Sequence, residues 1–351
     1  MTKISKIAYL LLLLTVSCRT TVTNVSDIGL ADNRYDKDFF LRESGNSLDH
    51  LSKSIKMLNS IAYYESYLLS KSSKITLDDI SNIDIQAAAI KKITSTETAS
   101  GTATIIYSEK GKIALLTCAH IINFPDTLFT FYKDGNGTNS KYLESFTVKK
   151  RQTNILPELT VSNEVETIAI NIDSDIALIG REVTSLQSKD LFPAKLAWGN
   201  SSELEWGTKV FIIGYPLNNK MITSGLVSPN QLSGKDYFFV DAVFNRGFSG
   251  GIVLALRDGA PNFELVGMVK SGTTHRKFNI VPDYNDPGFA YLPQIPYKDN
   301  LIVEEVAEMK YGVTRIMSVE TIIDFLENNV ENIEEAGYEV LKILKPLDKL
   351  K

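Results

Sequence analysis

One serine lies within a glycine-rich segment and precedes an apolar run, in Gly247-Phe248-Ser249-Gly250-Gly251-Ile252-Val253. A serine hydroxyl attacks an acyl group only where a base accepts its proton and hydrogen-bond donors stabilise the developing oxyanion. Glycine allows positive φ, so successive backbone N–H groups can point into one small space. The segment therefore indicates Ser249 as a nucleophile, with the N–H groups of Gly247 and Ser249 as oxyanion donors. A glycine-rich turn before a strand is also common in hairpins, and this interpretation stays open for the segment taken alone.

A histidine and an aspartate occupy similar positions at the ends of apolar runs. His120 follows the run 113–117, and Asp175 immediately precedes the run 176–180. Most single histidines have no catalytic role, but an imidazole fixed at the end of a strand is a suitable proton acceptor for a hydroxyl. A carboxylate beside it holds the imidazole in one tautomer and stabilises its charged form. His120, Asp175 and Ser249 thus form a candidate set for acyl transfer.

Other chemistries have little support in the sequence. The three histidines (His50, His120 and His275) are scattered and form no H-E-x-x-H motif, so neither a metal site nor a cofactor is predicted. No G-x-x-x-x-G-K-[ST] segment indicates a nucleotide-phosphate site. With Cys18 in the N-terminal segment, Cys118 is the single cysteine of the folded part, so no internal disulfide is expected. Cys118 is predicted to be a small buried hydrophobic residue; a nucleophilic thiol beside His120 is the alternative.

Size and charge bound the class of protein. The chain has 351 residues and a net charge of −5, with acidic and basic residues interspersed. A nucleic-acid-binding protein concentrates Lys and Arg on one face, so no nucleic-acid partner is predicted. The length is sufficient for a large core, and one major domain with helical additions is expected.

The N-terminal residues 1–18 have the pattern of an export signal. Lys3 and Lys6 precede a continuously apolar run, and Ser17-Cys18 ends it. The run is too short for a permanent membrane-spanning helix, so a removable signal is predicted. A small residue followed by cysteine resembles a bacterial lipoprotein signal, in which Cys18 carries the lipid and tethers the exported protein to a membrane of the cell envelope; ordinary secretion is the alternative. Residues 19–46 are polar and aperiodic, which predicts a tether.

A helical extension is predicted over residues 47–82. Apolar residues recur there at intervals of three and four, namely Leu48, Leu51, Ile55, Leu58, Ile61 and Tyr64. Ser47 is a suitable first residue of the helix, and His50 is expected on its surface. Packing of this helix on the remainder of the protein is favoured over a partner-binding or membrane-proximal spacer.

From residue 83 onward, short apolar runs alternate with turn residues, as is typical of β-strands. Strands are predicted at 83–93, 101–107, 113–117, 128–132, 142–148, 164–171, 176–180, 195–200, 207–216, 221–228, 237–242, 252–256 and 263–272. The charged segment 149–154 and the segment 273–300 are predicted as loops. Near the C-terminus, Ser318 is expected to cap a helix, and Gly337 and Pro346 bound a further short helix. These helices are expected to cover the β structure.

Three segments occur in the order His, Asp, Ser: Thr117-Cys118-Ala119-His120, Ser174-Asp175-Ile176-Ala177-Leu178 and Gly247-Phe248-Ser249-Gly250-Gly251. In this order they resemble the trypsin-like serine peptidase family, and the strings 210–216, 224–228 and 241–242 resemble its bacterial HtrA/Deg-like branch. The resemblance covers residues 83–330. It implies a mainly β fold of two packed antiparallel six-stranded β-barrels, with an added N-terminal helix and a C-terminal helical tail at 331–351. It also implies a serine endopeptidase that acts on proteins or peptides.

The sequence departs from the family pattern at several positions. Arg246 and Phe248 replace the usual Pro and Asn, and Phe248 is expected to shape the leaving-group side of the cleft. Phe248 also replaces the aspartate that receives a newly cut amino terminus in digestive enzymes, so no activation by that route is predicted. Val243, at the expected base of the first specificity pocket, favours cleavage after small or medium apolar residues. No PDZ domain is expected, since the tail after residue 329 is too short for one.

Two other functions compete with peptidase activity. A catalytically silent barrel protein of the cell envelope, used for binding, is favoured only by Arg246 and Phe248. An esterase has weaker support, because Ser249 is not part of the G-x-S-x-G segment that forms a strand-to-helix turn in such enzymes.

Overall fold

The computed structural model describes residues 45–134, 138–159, 163–184, 191–228, 236–243, 245–259, 262–282 and 301–344, without the side chains of 45–46, 271–278 and 305–311. The predicted signal segment with Cys18 and nearly all of the predicted tether lie outside these ranges. Within the ranges, no helix combines the length and the apolar character that crossing a membrane requires.

The N-terminal half forms a closed β-barrel. Its strands are β1 (Ile55–Leu68), β2 (Lys91–Glu109), β3 (Lys112–Thr117), β4 (Thr127–Lys133), β5 (Asn139–Ile155), β6 (Glu164–Asn171) and β7 (Ile176–Glu182). Six strands form a ring in the order β1-β2-β3-β7-β6-β5, and β5 closes it by pairing with β1. Strand β4 extends the sheet beyond β5, outside the ring. All of these pairs are antiparallel.

A second barrel follows. Its strands are β8 (Ala197–Trp198), β9 (Lys209–Gly214), β10 (Met221–Ser228), β11 (Tyr237–Val240), β12 (Ile252–Leu256), β13 (Phe263–Pro282) and β14 (Leu301–Ser318). The ring runs β12-β9-β10-β11-β14-β13 and closes through β12 and β13. The short strand β8 pairs with β13 in parallel outside the ring. The prediction of a mainly β protein with two antiparallel six-stranded barrels is therefore confirmed.

Strand β12 belongs to the second barrel, packs against the first, and directly follows the segment that contains Ser249. All five of its residues are buried. Side chains alternate along a strand, so Val253 and Ala255 pack inside the second barrel, while Ile252 and Leu254 pack with Ile55 of the first barrel. Burial of each Ile, Leu or Val side chain contributes about 1.5–3 kcal/mol. The chain immediately after Ser249 is thus fixed from both sides.

Six α-helices lie outside the barrels in the described ranges. They are α1 (Gly45–Ser52), α2 (Ile85–Ala88), α3 (Ala119–Ile122), α4 (Val319–Asn328), α5 (Val330–Glu335) and α6 (Val340–Leu344). The Ser318 side chain accepts a hydrogen bond from the Thr321 N–H (3.3 Å), which confirms the predicted cap of α4. Phe325, Ile333 and Ile343 are buried in the core cluster of the first barrel, so the C-terminal helices cover it as expected.

The predicted helix over residues 47–82 is wrong beyond Ser52, because Ile55–Leu68 is strand β1. Inward positions of β1 include the polar residues Lys56 and Ser60, whereas Met57 and Ile61 are partly exposed on the other side. This distribution hides the period of two that marks a strand. The partners of β1 are β2 and β5, far downstream, so local periodicity does not report the pairing.

Three further boundaries differ from the predictions. Residues 85–88 form helix α2, since Asp84 accepts hydrogen bonds from the N–H groups of Gln86 (2.9 Å) and Ala87 (3.3 Å). The charged segment 149–154 is not a loop but the end of β5, paired with β1. The segment 273–282 continues β13, so the backbone of His275 is part of a strand, although its side chain is outside the described set.

Candidate active site

The histidine of the candidate site is held by Asp175. His120 lies in the short helix α3, directly after β3, and its Nδ1 is 2.9 and 3.0 Å from the two carboxylate oxygens of Asp175. The backbone N–H of His120 also donates to Asp175 Oδ1 (2.9 Å), and the N–H of Ala119 donates to the Asp175 carbonyl (3.2 Å). The side chain of Asp175 is 13% exposed and that of His120 is 47% exposed. The carboxylate therefore fixes one side of the ring and leaves the opposite nitrogen accessible.

Asp175 lies in the tight turn between β6 and β7. Its φ is 66°, in the left-handed region, which Asp and Asn adopt more readily than other non-glycine residues. The Ser174 N–H is bonded to the Asn171 side chain (3.0 Å) within the same turn. This turn brings the carboxylate to the N-terminal end of α3.

Ser249 lies in the segment before β12 and is only 7% exposed. Its Oγ donates to the carbonyl of Lys270 at 3.3 Å, and among the described residues no hydrogen bond joins Ser249 to His120. Two contacts nevertheless bring the two segments together. The Gly250 N–H (2.9 Å) and the Cys118 thiol (3.2 Å) both donate to the carbonyl of Val269.

The two N–H groups that the sequence predicts as oxyanion donors belong to Gly247 and Ser249, and both residues are buried. Gly247 has a φ of 102°, and the N–H groups of Gly247 and Ser249 have no hydrogen-bond acceptor within the described part of the chain. The carbonyls of the same two residues are occupied: that of Gly247 accepts from Thr102 Oγ1 (2.7 Å), and that of Ser249 accepts from the Thr102 N–H (2.8 Å). Since a buried N–H without a partner is costly, these two groups are available to hydrogen-bond an oxygen of a bound molecule.

Thr102 was not among the predicted site residues, although it organises this loop. It is fully buried on β2 of the first barrel, and its Oγ1 also accepts from the Tyr215 N–H (2.9 Å). Gly101, beside it, is closely packed: a Cβ there would lie 3.0 Å from the Ser249 carbonyl oxygen and 2.1 Å from Cδ1 of Ile121, which would have to move. A glycine at position 101 is the only feature of the local sequence that points to this close contact. The role of Thr102 could not be predicted, because its partners belong to the other barrel.

Lys270 is the second residue that the sequence analysis missed. Its carbonyl accepts the Ser249 hydroxyl, while its Nζ donates to the carbonyl of Ser174 at 3.1 Å. One residue of β13 therefore contacts both the nucleophile and the turn that carries Asp175. In the sequence, nothing distinguishes Lys270 from the other residues of the predicted strand 263–272.

Cys118 is a buried residue, as predicted. Burial raises the pKa of its thiol well above the ordinary value, and the nearby Asp175 carboxylate acts in the same direction. Its sulfur, His120 and Asp175 offer metal-ligand atoms within 4.8 Å of one another. A protonated thiol that donates to a carbonyl is a poor nucleophile and a poor metal ligand, so this chemistry does not support either use.

The two residues expected to line the substrate cleft have different environments. Val243 follows β11 and is 54% exposed, whereas a residue at the base of a pocket is expected to be enclosed. Phe248 is only 3% exposed and packs in the core of the second barrel. The expectation that Phe248 shapes the leaving-group side of the cleft is therefore corrected, because its ring faces the core beside Gly214.

Comparisons with known proteins find a family that matches the central segment of the chain. No curated protein matches the chain. Among solved structures, it is similar to the serine endoprotease from Yersinia pestis, with 15% identity, a TM-score of 0.38 and coverage of 83% of this chain and 67% of that chain. It is also similar to the human pathogenic astrovirus serine protease, with 9% identity, a TM-score of 0.32 and coverage of 76% and 90%. The family model of the trypsin-like peptidase domain matches residues 101–268, which include His120, Asp175 and Ser249.

Proposed function

We propose that this protein is a serine endopeptidase in which Ser249, His120 and Asp175 hydrolyse peptide bonds through an acyl-enzyme. One observation supports the proposal most strongly. An Asp-bound imidazole of the first barrel and a serine flanked by two unpaired N–H groups of the second barrel lie on segments that share the Val269 carbonyl. The match of residues 101–268 to a trypsin-like peptidase domain supports the same function and suggests protein substrates.

In this proposal each group has a defined role. Because Nδ1 of His120 contacts the Asp175 carboxylate, Nε2 is the nitrogen that accepts the Ser249 proton. The Ser249 oxygen then attacks the substrate carbonyl carbon, and the N–H groups of Gly247 and Ser249 stabilise the oxyanion, by about 3 kcal/mol per donor. The imidazolium returns the proton to the leaving amine, and water hydrolyses the acyl-enzyme by the same route.

A silent binding protein is the second candidate, and one contact favours it. Ser249 Oγ donates to the Lys270 carbonyl instead of His120. However, a serine side chain moves between staggered rotamers, and catalytic hydrogen bonds in substrate-free enzymes are commonly long and tighten when substrate binds. The unpaired N–H groups have no purpose in a binding protein of this kind, so the endopeptidase is the better interpretation.

Cleavage of an unfolded protein such as casein by the full chain tests the proposal. Ser249→Ala is expected to lower turnover by about 10⁶-fold, to background. Ser145→Ala is the matched control, since Ser145 is also 7% exposed but lies on β5. Hydrolysis that persists in Ser249→Ala would refute the assignment, and a folded wild-type protein without hydrolysis would favour the binding protein.

We further propose that the protein is of the HtrA/Deg-like type and that it cleaves after small or medium apolar residues. Val243 offers no charge at the expected base of the pocket. A peptide library is expected to show this preference, and a preference for Arg or Lys would contradict it. The buried apolar ring of Phe248 also supports activity without a newly cut amino terminus, so trimming of the N-terminus is not expected to raise activity.

A lipid on Cys18 is proposed as the anchor of the exported protein at a membrane of the cell envelope. The support is the apolar run that ends in Ser17-Cys18. Metabolic labelling with a radioactive fatty acid, followed by detergent phase partition, is expected to place the wild-type protein in the detergent phase. Cys18→Ala should remove both the label and the partition; a labelled Cys18→Ala protein would contradict the site.

A further inference from the structure

A cluster of three buried or half-buried polar side chains lies where the barrels meet, outside the proposed catalytic set. The Tyr215 hydroxyl, at the end of β9, donates to Glu158 Oε1, and Lys56 Nζ of β1 lies 3.1 Å from Glu158 Oε2. The N–H of Met57 also donates to Oε1 (3.2 Å). The side chains of Lys56 and Glu158 are 10% and 30% exposed, and Tyr215 is 8% exposed. We call Lys56, Glu158 and Tyr215 the junction cluster.

Each charged or polar group of the junction cluster has a partner of complementary charge or hydrogen-bonding character. Burial alone raises the pKa of Glu158, but the hydrogen bond from Tyr215 and the charge of Lys56 outweigh it and keep that pKa below the ordinary value. Burial and the adjacent carboxylate raise the pKa of Tyr215, so its hydroxyl remains a donor. Lys220 Nζ lies 5.3 Å from the centre of the Tyr215 ring and donates to the Ser52 carbonyl (2.8 Å). Tyr215 is thus held at its hydroxyl and at its ring.

The backbone of Tyr215 contacts residues 245–251, which we call the oxyanion loop. A Cβ on Gly247 would lie 2.1 Å from the Tyr215 carbonyl oxygen, so only glycine fits there. The same Thr102 hydroxyl that donates to the Gly247 carbonyl accepts from the Tyr215 N–H. Any shift of Tyr215 therefore moves the surroundings of Gly247.

The next residues determine which way the Gly247 N–H points. The Leu217 N–H donates to the Arg246 carbonyl at 2.9 Å. Because a trans peptide is planar, with C=O and N–H on opposite sides, this bond turns the N–H of Gly247 away from Leu217. Leu217 and Asn218 have φ values of 50° and 62°, which a leucine adopts only when its surroundings enforce it. Tyr215, two residues earlier, is the buried anchor of this strained turn.

From these contacts we propose that Tyr215 and Glu158 are positioning residues for the oxyanion hole. The carboxylate of Glu158, from the first barrel, holds the hydroxyl of Tyr215, and Tyr215 anchors the turn at Leu217. The Leu217 N–H in turn orients the Arg246–Gly247 peptide. This peptide carries the Gly247 N–H, one of the two oxyanion donors. The inference rests on the proposed function. It adds that the transition state, and not the bound substrate, depends on a hydrogen bond outside the cleft.

Tyr215→Phe removes only the hydroxyl and is the main test. We expect kcat for a peptide substrate to fall about 10- to 100-fold with KM within twofold, since removal of one oxyanion donor costs about 10²–10³-fold. Affinity for a peptide boronic acid, which forms a tetrahedral adduct on serine, should fall in parallel with kcat/KM. A purely structural role would lower thermal stability without this selective loss. Glu158→Gln keeps the shape and one acceptor, so its kcat should fall in the same direction by a smaller factor.

Tyr132→Phe is the matched control, because Tyr132 lies on β4, outside the six-stranded ring, where its hydroxyl donates to the Leu69 carbonyl (2.6 Å). It should keep wild-type kcat. If Tyr215→Phe does not fold, Glu158→Gln decides the inference. Unchanged kcat and boronate affinity in the folded variants would overturn it while wild-type hydrolysis upholds the proposed function. Absence of Ser249-dependent hydrolysis in wild type would instead end both.

Discussion

The two halves of the candidate site are held in opposite ways. The His120–Asp175 pair comes entirely from the first barrel, and the imidazole is 47% exposed. Ser249 belongs to the second barrel and is 7% exposed, yet the carbonyls of its loop are held by Thr102 of the first barrel. The difference indicates that the proposed base is attached at one side and open at the other, whereas the oxyanion loop is held by residues of both barrels. Changes at the base should therefore affect the rate alone, and changes at the loop both rate and stability.

The largest effect is expected for His120→Ala. Loss of the base should lower kcat by about 10⁶-fold, because nucleophile and base act as a unit. The ring is half exposed, so the free energy of unfolding should change by less than about 1 kcal/mol. Chemical denaturation and peptide hydrolysis measure the two quantities. His50→Ala, a surface histidine on α1, is the control and should retain full activity. A large loss of stability in His120→Ala would contradict the one-sided attachment.

Gly247→Ala should damage both rate and stability. The φ of 102° and the Tyr215 carbonyl leave no space for a Cβ, so the loop must move. We expect kcat to fall about 10²-fold, as for a lost oxyanion donor, and the free energy of unfolding to fall by about 3 kcal/mol.

Gly207→Ala separates backbone strain from the close contact. Gly207 has a φ of 79°, and no atom lies within 4 Å of the position that a Cβ would take, so only the cost of a positive φ, about 1–2 kcal/mol, is expected. Equal losses in the two alanine variants would show that the contact with Tyr215 is unimportant.

Thr102→Val tests the contact between the barrels. It leaves the Gly247 carbonyl and the Tyr215 N–H without their partner, which should cost about 1–3 kcal/mol of stability and lower kcat roughly tenfold. The matched control is Thr104→Val on the same strand: Thr104 Oγ1 is buried without a hydrogen-bond partner among the described residues, so its removal should be neutral or stabilising. If both variants behave alike in denaturation and hydrolysis, Thr102 does not organise the loop.

The smallest effect is expected for Glu158→Gln, and it should depend on pH. The folded-state pKa of Glu158 is lowered, so its charge contributes stability above the ordinary glutamate range, and the contribution is lost as pH falls through the folded-state value. Wild type should exceed the variant by about 1 kcal/mol at neutral pH, with the difference shrinking below roughly pH 4. Denaturation curves across this range measure it, and a constant difference would point to packing instead of charge.

Local chemistry in the sequence was sufficient for much of the β structure. The Lys110-Gly111 turn, with φ values of 52° and 72°, joins β2 and β3 where the hairpin was predicted, and Ser318 caps α4 as expected. Strand β1 was not predictable, since Lys56 faces inward toward Glu158, a partner 102 residues away. Thr102, Lys270 and Tyr215 act through contacts between barrels. The spacing of these three residues along the chain does not predict those contacts.

The orientation of Phe248 also could not be predicted from the local sequence. A residue next to the nucleophile is expected to face the cleft, but the turn through Gly247 and Gly250, with φ values of 102° and 82°, directs its ring into the core. The positions of glycines predicted a sharp turn. Which side chain the turn buries depends on the barrel beneath it.

The most direct test of the account is reaction of the folded full chain with a fluorophosphonate probe, followed by mass mapping of the adduct. We expect one adduct per chain, on Ser249, and no reaction in Ser249→Ala or His120→Ala. An adduct at another residue, or undiminished reaction in His120→Ala, would contradict the claim that an Asp-bound imidazole of one barrel activates the serine of the other.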